Sequence, residues 1–325
     1  MSVDLNDDIV DVGEETPEIR TWVVKDGDHD QRLDKVLVNH VPEFSRSYLQ
    51  DLIAQQCVQV DGLVQATASR RVRWGQTISI TLKPTAESQA FQPEVLPDAL
   101  NILYEDEHLI VLNKPVGLVV HPAPGNWRGT LLNALLSHHS QAVMLPRAGI
   151  VHRLDKDTSG VMVVAKSLQA MNGLARAIAE REVNRTYLAL AHGNVSWEKH
   201  SVDAPIGRDR AQRTRMAVHA DGKWARTHFE RIAAIQGYTA LRCQLETGRT
   251  HQIRVHAAHM GHPLVSDRIY GGKEGLGIAR QALHATKLAF NHPITQQSMT
   301  YTAAPPPDFQ MAWGLVLNEP IMQLA

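Results

Sequence analysis

The sequence predicts an α+β protein in two parts, a small module of helices and short strands followed by a larger domain of irregularly alternating strands and helices. Three observations predict it. Residues 21–83 carry two helical apolar stripes and two short strand-like runs, residues 84–100 are rich in proline, and five strand-like runs lie beyond them.

In the module, Leu33, Val36 and Leu37 recur at helical spacing, which predicts a helix over Arg32 to His40. A second helix begins after Ser45, with Leu49, Leu52 and Ile53 on one face. CVQVDG at 57–62 and QTISI at 76–80 read as strands, with Asp61 and Gly62 as a hairpin turn. Pro84, Pro93 and Pro97, among Ser, Gln and Ala, predict an extended linker over 84–100.

In the larger domain, 101–325, strands are expected at Ile102 to Tyr104, Leu109 to Leu112, Val161 to Ala165, Tyr187 to Ala191 and Tyr238 to Leu245. A helix over Leu168 to Arg181 is capped by Ser167, and another over 251–260 has Thr250 as its cap and Gly261 as its stop.

With 325 residues and 43% hydrophobic content, the chain can bury more than one core and is neither disordered nor fibrous. The two cysteines, Cys57 and Cys243, lie far apart, which excludes a disulfide framework, a zinc knuckle and a thioredoxin-type site. A reducing cytoplasm is the expected location. No signal peptide is evident at the amino terminus, and the charge-free runs 129–146 and 288–307 are polar or end in prolines, so no membrane span is expected.

The net charge of −1 hides an asymmetry. Residues 1–20 hold seven acids against Arg20, an expected disordered acidic tail, while residues 206–227 carry Arg208, Arg210, Arg213, Arg215, Lys223 and Arg226 against Asp209 and Asp221. A basic stretch of this kind suits a polyanion, although a solvated surface has the same composition.

Several catalytic motifs are absent: no GxSxG elbow, no phosphate loop of the GxxxxGKS/T type and no GxGxxG after a strand. Nucleotide hydrolysis and hydride transfer are therefore poor candidates. His251, His256, His259 and His262 invite a metal reading, but no carboxylate or cysteine joins them, and no metal is expected. In GIVHRLDKDTSGVMVVAKS at 149–167 a polar loop sits between two apolar runs, which makes Asp155 the candidate reactive group. The residues alone also allow Asp155 to pair with Arg153 or Lys156 and 157–160 to be an ordinary turn.

HRLDKDTSG at 152–160, REVNRTYLALAHG at 181–193 and LETGRTHQIRVH at 245–256 resemble the three signature motifs of RNA pseudouridine synthases of the large-subunit ribosomal RNA type. The resemblance covers about 101–305 and includes NKPVGLVVHP at 113–122, GHPLVSDRIYGG at 261–272 and RQALHA at 280–285. The module resembles the S-four-type (alpha-L) RNA-binding domain through RLDKVL, SRSYLQDLI, CVQVDG and VRWGQTISI, with Arg32, Lys35 and Arg46 as RNA contacts.

The resemblance implies a pseudouridine synthase fold with a central mixed, mainly antiparallel sheet. It implies isomerisation of uridine to pseudouridine in large-subunit ribosomal RNA, free or in an assembling subunit, by a monomer needing neither cofactor nor metal. The family's catalytic aspartate falls on Asp155, its base-stacking tyrosine on Tyr187 and its active-site basic residue on Arg254, chosen over Arg249, which is otherwise placed to grip a phosphate. IGRDRAQRTRM at 206–216 resembles the family's RNA-gripping loop, and Arg153 is the residue to fill the stack left by an extruded base. Arg185 stands where many relatives have lysine in the Lys-x-Tyr pattern. The carboxylate acts as nucleophile or as base, and the sequence leaves both open, as it leaves open other ribosomal sites, transfer RNA or a noncatalytic assembly role.

Overall fold

The computed structural model describes residues 18–83, 90–123, 125–212, 215–235 and 237–318. Its contacts divide the chain into two units, 1–85 and 86–325. In the first, strand β1 (Glu18–Val23) precedes helices α1 (Leu33–His40) and α2 (Arg46–Ala54), then strands β2 (Val58–Val60), β3 (Leu63–Gln65) and β4 (Thr77–Leu82). The sheet order is β1-β4-β2-β3, antiparallel throughout. Apolar stripes of both helices close on it: Leu33, Val36, Leu37, Leu49, Leu52 and Ile53 are fully buried with Val58, Ile78 and Ile80. The Ser45 side chain accepts the Tyr48 N–H as the N-cap, and Asp61 and Gly62 form the β2–β3 turn.

The expected acidic tail, 1–20, lies outside the described residues up to 17. Residues 18–20 correct it, for they pair with β4 from Glu18 opposite Leu82. The backbone of β4 offers a free edge there, and Trp22 anchors the strand by stacking on His40 at 4.7 Å.

In the second unit the strands are β5 (Ile102–Glu105), β6 (Leu109–Lys114), β7 (Ser159–Ala165), β8 (Asn184–His192), β9 (Lys199–Asp203), β10 (Ile206–Arg208), β11 (Met216–Val218), β12 (Arg226–Ile235), β13 (Tyr238–Leu245), β14 (Leu283–Asn291) and β15 (Ser298–Thr302). The helices are α3 (Leu131–His138), α4 (Leu168–Ala179), α5 (Gln252–His259) and α6 (Pro307–Leu317). Among the described residues the main sheet runs β5-β6-β7-β14-β8-β13-β12-β9, with β15 on β14. Only β7 and β14 pair in parallel, so the sheet is mixed and mainly antiparallel, as the resemblance implies. β10 and β11 form a separate hairpin.

Residues 90–100 correct the expected linker. The Asn133 side-chain amide donates to the carbonyls of Ala90 and Gln92 at 3.1 and 2.8 Å, and Glu94 N–H donates to the Asn133 carbonyl, so prolines here shape a segment docked on α3. Residues 84–89 lie outside the described residues.

β8 is central and buried on both faces: Tyr187, Ala189 and Ala191 face one core, Leu188 and Leu190 the other. Where β7 meets β14, Gly160 is indispensable. A Cβ there would lie 2.1 Å from the Ala285 carbonyl oxygen, so no other residue lets the two strands approach at the end where the 155–158 loop begins.

Candidate active site

The loop ahead of β7 carries Asp155, and three anchors fix it. The Lys114 ammonium, wholly buried, donates to the carbonyls of Pro115, Leu118 and Lys156 at 2.7, 2.9 and 3.0 Å. Gly117 N–H also reaches the Lys156 carbonyl, and Arg280, paired with Asp308, donates to the carbonyl of Asp157 at 3.0 Å. Burial pushes the Lys114 amine down to about 7, while Asp157 and Asp155 favour its charged form. Three carbonyl acceptors require all three of its protons.

Asp155 lines a cavity of about 750 Å³ with Tyr187, Arg254, His251, Arg185 and Trp224. Its side chain is 15% exposed, open enough to meet a substrate and closed enough to be held. Arg254 Nη1 donates to Asp155 Oδ2 at 2.9 Å, and His251 Nε2 faces the other oxygen at 3.7 Å. The rest of the Arg254 guanidinium is gripped by the buried Asp267, Nε to Oδ2 at 2.7 Å and Nη2 to Oδ1 at 2.8 Å. Burial works against the Arg254 charge, but the Asp267 hydrogen bonds and the charges of Asp155 and Asp267 outweigh it and raise the pKa further.

Burial likewise raises the Tyr187 hydroxyl above the ordinary tyrosine value, reinforced by Asp155 and opposed by Arg185, so it is a neutral donor at neutral pH. Burial lowers His251, against the pull of Asp155. Its Nδ1 lies 2.8 Å from the Tyr270 hydroxyl, which also accepts the Met216 N–H of β11 and whose ring lies 5.1 Å from the Arg254 guanidinium carbon.

The expected cap at Thr250 is corrected: α5 starts at Gln252, and its N-cap is His251 in a left-handed conformation, φ 57°. The reason lies in Gln252, whose Oε1 accepts from Arg249 N–H and Thr247 Oγ1 while Nε2 donates to the Arg226 carbonyl and Thr227 Oγ1. That network fixes the turn and aims His251 at Asp155.

Of the other expected site residues, Arg153 and Arg249 are exposed on the wall of the same cavity, and Arg249 Nε donates to the Trp224 carbonyl. Arg208 lies on β10, Arg210 pairs with Asp221, and Arg215 Nε donates to Asp209 at 2.6 Å. Arg213 lies outside the described residues. In the first unit Arg32 and Arg46 both pair with the buried Asp34 at the foot of α1, and Lys35 is exposed. Three of the four histidines of the metal reading have other partners: His251 meets the Tyr270 hydroxyl, His256 bonds Thr227 Oγ1 and the Ala204 carbonyl, and His262 the His192 carbonyl. Among the described residues no group of His, Cys, Asp and Glu is placed to hold a metal, and no helix is long and apolar enough to cross a membrane.

Lys114, Asp267 and Tyr270 were missed by the sequence reading, although each lies in a segment it singled out. No local signal marks them, because each acts on a partner distant in sequence.

The second unit is thus an α+β domain whose mixed sheet carries a cavity where a carboxylate, an arginine and a tyrosine come together. The family model for RNA pseudouridylate synthase matches residues 108–259, and that for the S4 domain matches residues 31–78. The chain is 48% identical over 298 residues to ribosomal large subunit pseudouridine synthase D of Nitrosomonas europaea, covering 89% of this chain and 85% of that protein. The same-named protein of Xanthomonas campestris is 44% identical, covering 90% and 91%. Among solved structures, human RNA pseudouridylate synthase domain containing 1 superposes with a TM-score of 0.52 at 25% identity, covering 71% of this chain and 90% of that one. The chain therefore belongs to the RNA pseudouridylate synthase family. It is an isomerase acting on RNA.

Proposed function

We propose that this protein converts uridines of large-subunit ribosomal RNA to pseudouridine, with Asp155 as the reacting carboxylate, Tyr187 stacked on the base and Arg254 orienting Asp155. The observation that carries this reading is the meeting of Arg254 Nη1 with Asp155 Oδ2 at 2.9 Å inside a cavity that Tyr187 also lines. The two curated relatives are named for the large ribosomal subunit, which supports the choice of RNA.

The chemistry follows from the groups. Asp155 attacks C1′, or takes the proton from C2′, and on either route the C1′–N1 bond breaks with its electron pair leaving on the base. The base turns and C5 bonds to C1′, as the Asp155–C1′ bond breaks and frees the carboxylate on the first route, or as Asp155 returns its proton to C2′ on the second. The C5 proton then leaves and N1 ends protonated. No electrons are gained or lost. Arg254 serves by holding Asp155 in position through its Nη1 hydrogen bond. Tyr187 holds the extruded base by its ring.

Exposed Arg153 and Arg249 contact RNA at the cavity wall, and Arg208, Arg210, Arg213 and Arg215 contact it from the β10–β11 segment. Residues 21–83, through Arg32, Lys35 and Arg46, add affinity for the same RNA, and residues 101–325 perform catalysis. The protein acts as a monomer, in the cytoplasm, on free RNA or an assembling subunit.

The test is tritium release from C5-labelled uridine in large-subunit ribosomal RNA, free and in subunit precursors, with wild type and Asp155→Asn side by side. Release by wild type alone is expected. Release by both would remove Asp155 from the reaction, and release by neither would remove the RNA assignment.

A further inference from the structure

Among the described residues, Arg185 is the one buried arginine of the cavity without an ion-pair partner. It lies on β8 two positions before Tyr187, on the same strand face and roughly 7 Å along it. It is 6% exposed and lines the cavity that holds Asp155. Among the described residues no carboxylate lies within ion-pair distance of it. Its Nε, fully buried, has no hydrogen-bond partner, and Nη2 makes only a long 3.4 Å contact to the Glu246 carbonyl.

The other buried arginines here are compensated. Arg254 has Asp267 and Asp155, and Arg280 has Asp308. An uncompensated buried cation is costly, and burial lowers its pKa accordingly. The fold nevertheless makes room for it, since a Cβ on Gly248 would lie 2.7 Å from Arg185 Nη1. Its neighbour His152 is held neutral: burial and the Arg185 charge bring it down to about 3, and its Nε2 accepts the Val163 N–H. A site that keeps an unpaired guanidinium in place lacks an anion that arrives with the substrate.

We infer that Arg185 binds the uracil ring of the target nucleotide and stabilises the negative charge that the base carries once the C1′–N1 bond has broken. The inference rests on the isomerisation proposed above and gives Arg185 a role in it. The electron pair of the broken bond spreads over N1, O2 and O4, and in-plane carbonyl oxygens suit guanidinium donors. A backbone phosphate is the competing anion. Phosphates stay hydrated and meet the exposed Arg153 and Arg249, whereas Arg185 is buried on the strand face that presents Tyr187 to the base.

The experiment compares wild type, Arg185→Gln and Arg185→Lys in the full chain on RNA carrying uridine or 5-fluorouridine at the target. Single-turnover loss of the parent nucleoside is read in nuclease digests, and RNA affinity is measured separately. Fluorine stabilises the base anion by itself. Arg185→Gln is therefore expected to slow uridine conversion about 10²–10³-fold, to slow 5-fluorouridine conversion at least tenfold less than that, and to leave RNA affinity unchanged. Arg185→Lys, which keeps a cation, is expected to recover most of the rate, and it carries the same comparison if the glutamine variant does not fold. Equal defects on both bases, or a loss confined to affinity, would overturn the inference and assign Arg185 to the fold or to a phosphate. Failure of wild type to convert uridine would instead overturn the underlying isomerisation.

Discussion

Asp267 clamps Arg254 through two parallel hydrogen bonds, and that clamp leaves a single guanidinium nitrogen, Nη1, to meet Asp155 at 2.9 Å. The two residues are thirteen apart, one on α5 and one in the turn that follows it. A guanidinium is planar, so fixing one edge fixes the direction of the remaining nitrogen. Asp267 thus aims Arg254, and Arg254 aims Asp155.

Asp267→Asn should therefore act on turnover rather than on RNA binding. The amide keeps the shape but sets an NH2 against the guanidinium and leaves Arg254 free to close on Asp155. Removing one partner of a buried pair costs about 3–5 kcal/mol, so the thermal midpoint should fall. In single-turnover assays the rate constant should drop by about 10–100-fold, with the RNA concentration for half-saturation little changed. An unchanged rate would mean that Arg254 needs no clamp.

Lys114 supports the same loop from beneath. Lys114→Met fills the space but leaves the carbonyls of Pro115, Leu118 and Lys156 without their shared donor. Buried unpaired acceptors cost about 1–3 kcal/mol each, part of which relaxation recovers. A net loss of about 3 kcal/mol is expected, lowering the midpoint by roughly 6–12 °C. Calorimetry on the full chain would check it, and an unshifted unfolding transition would show that the loop stands on Gly117 and Arg280 alone.

What the sequence made legible follows a physical division. β13 falls where the periodicity predicts it, and α4 and β8 shift by a few residues, because apolar repeats and a serine cap are local. Asp155, Tyr187 and Arg254, which line one cavity, were legible through the motifs that resemble the family's rather than through periodicity. Asp267 and Lys114 escaped because their meaning is a partner thirteen or forty-two positions away, which composition does not display. The basic stretch 206–227 shows the same division, since its ion pairs are not all visible in its own composition. Its arginines are partly neutralised in place, Arg210 by Asp221, Arg215 by Asp209 and Arg226 by Asp203 and Glu246, the last two from outside the stretch.

Tyr270 connects that stretch to Asp155. Its hydroxyl accepts from Met216 N–H on β11 and meets His251 Nδ1, whose other nitrogen faces Asp155. Tyr270→Phe keeps the ring beside Arg254 and removes only the hydroxyl. Losing hydrogen bonds of ordinary strength, about 1–1.5 kcal/mol net, predicts a rate reduced about tenfold with folding intact. Circular dichroism beside tritium release would test it, and a full rate would detach His251 and β11 from the reaction.

The first unit carries its own pH sensitivity. Burial alone would raise Asp34, but hydrogen bonds from Arg32, Arg46 and Gln50 outweigh it and hold this fully buried carboxyl well below the usual carboxylate range. In the unfolded chain the same group titrates near about 4. Between those two values the unfolded state binds the extra proton, so the stabilisation is complete above pH about 4 and is lost as the pH falls below it. Hydrogen exchange in the full chain should show amides of β2 and β4, paired in the sheet that α1 and α2 cover, losing protection first as the pH is lowered through this range. Asp34→Asn should open the same segment already at pH 7 and abolish its acid dependence, since the amide cannot titrate. An Asn variant with the wild-type acid profile would show that the loss of protection comes from other carboxylates.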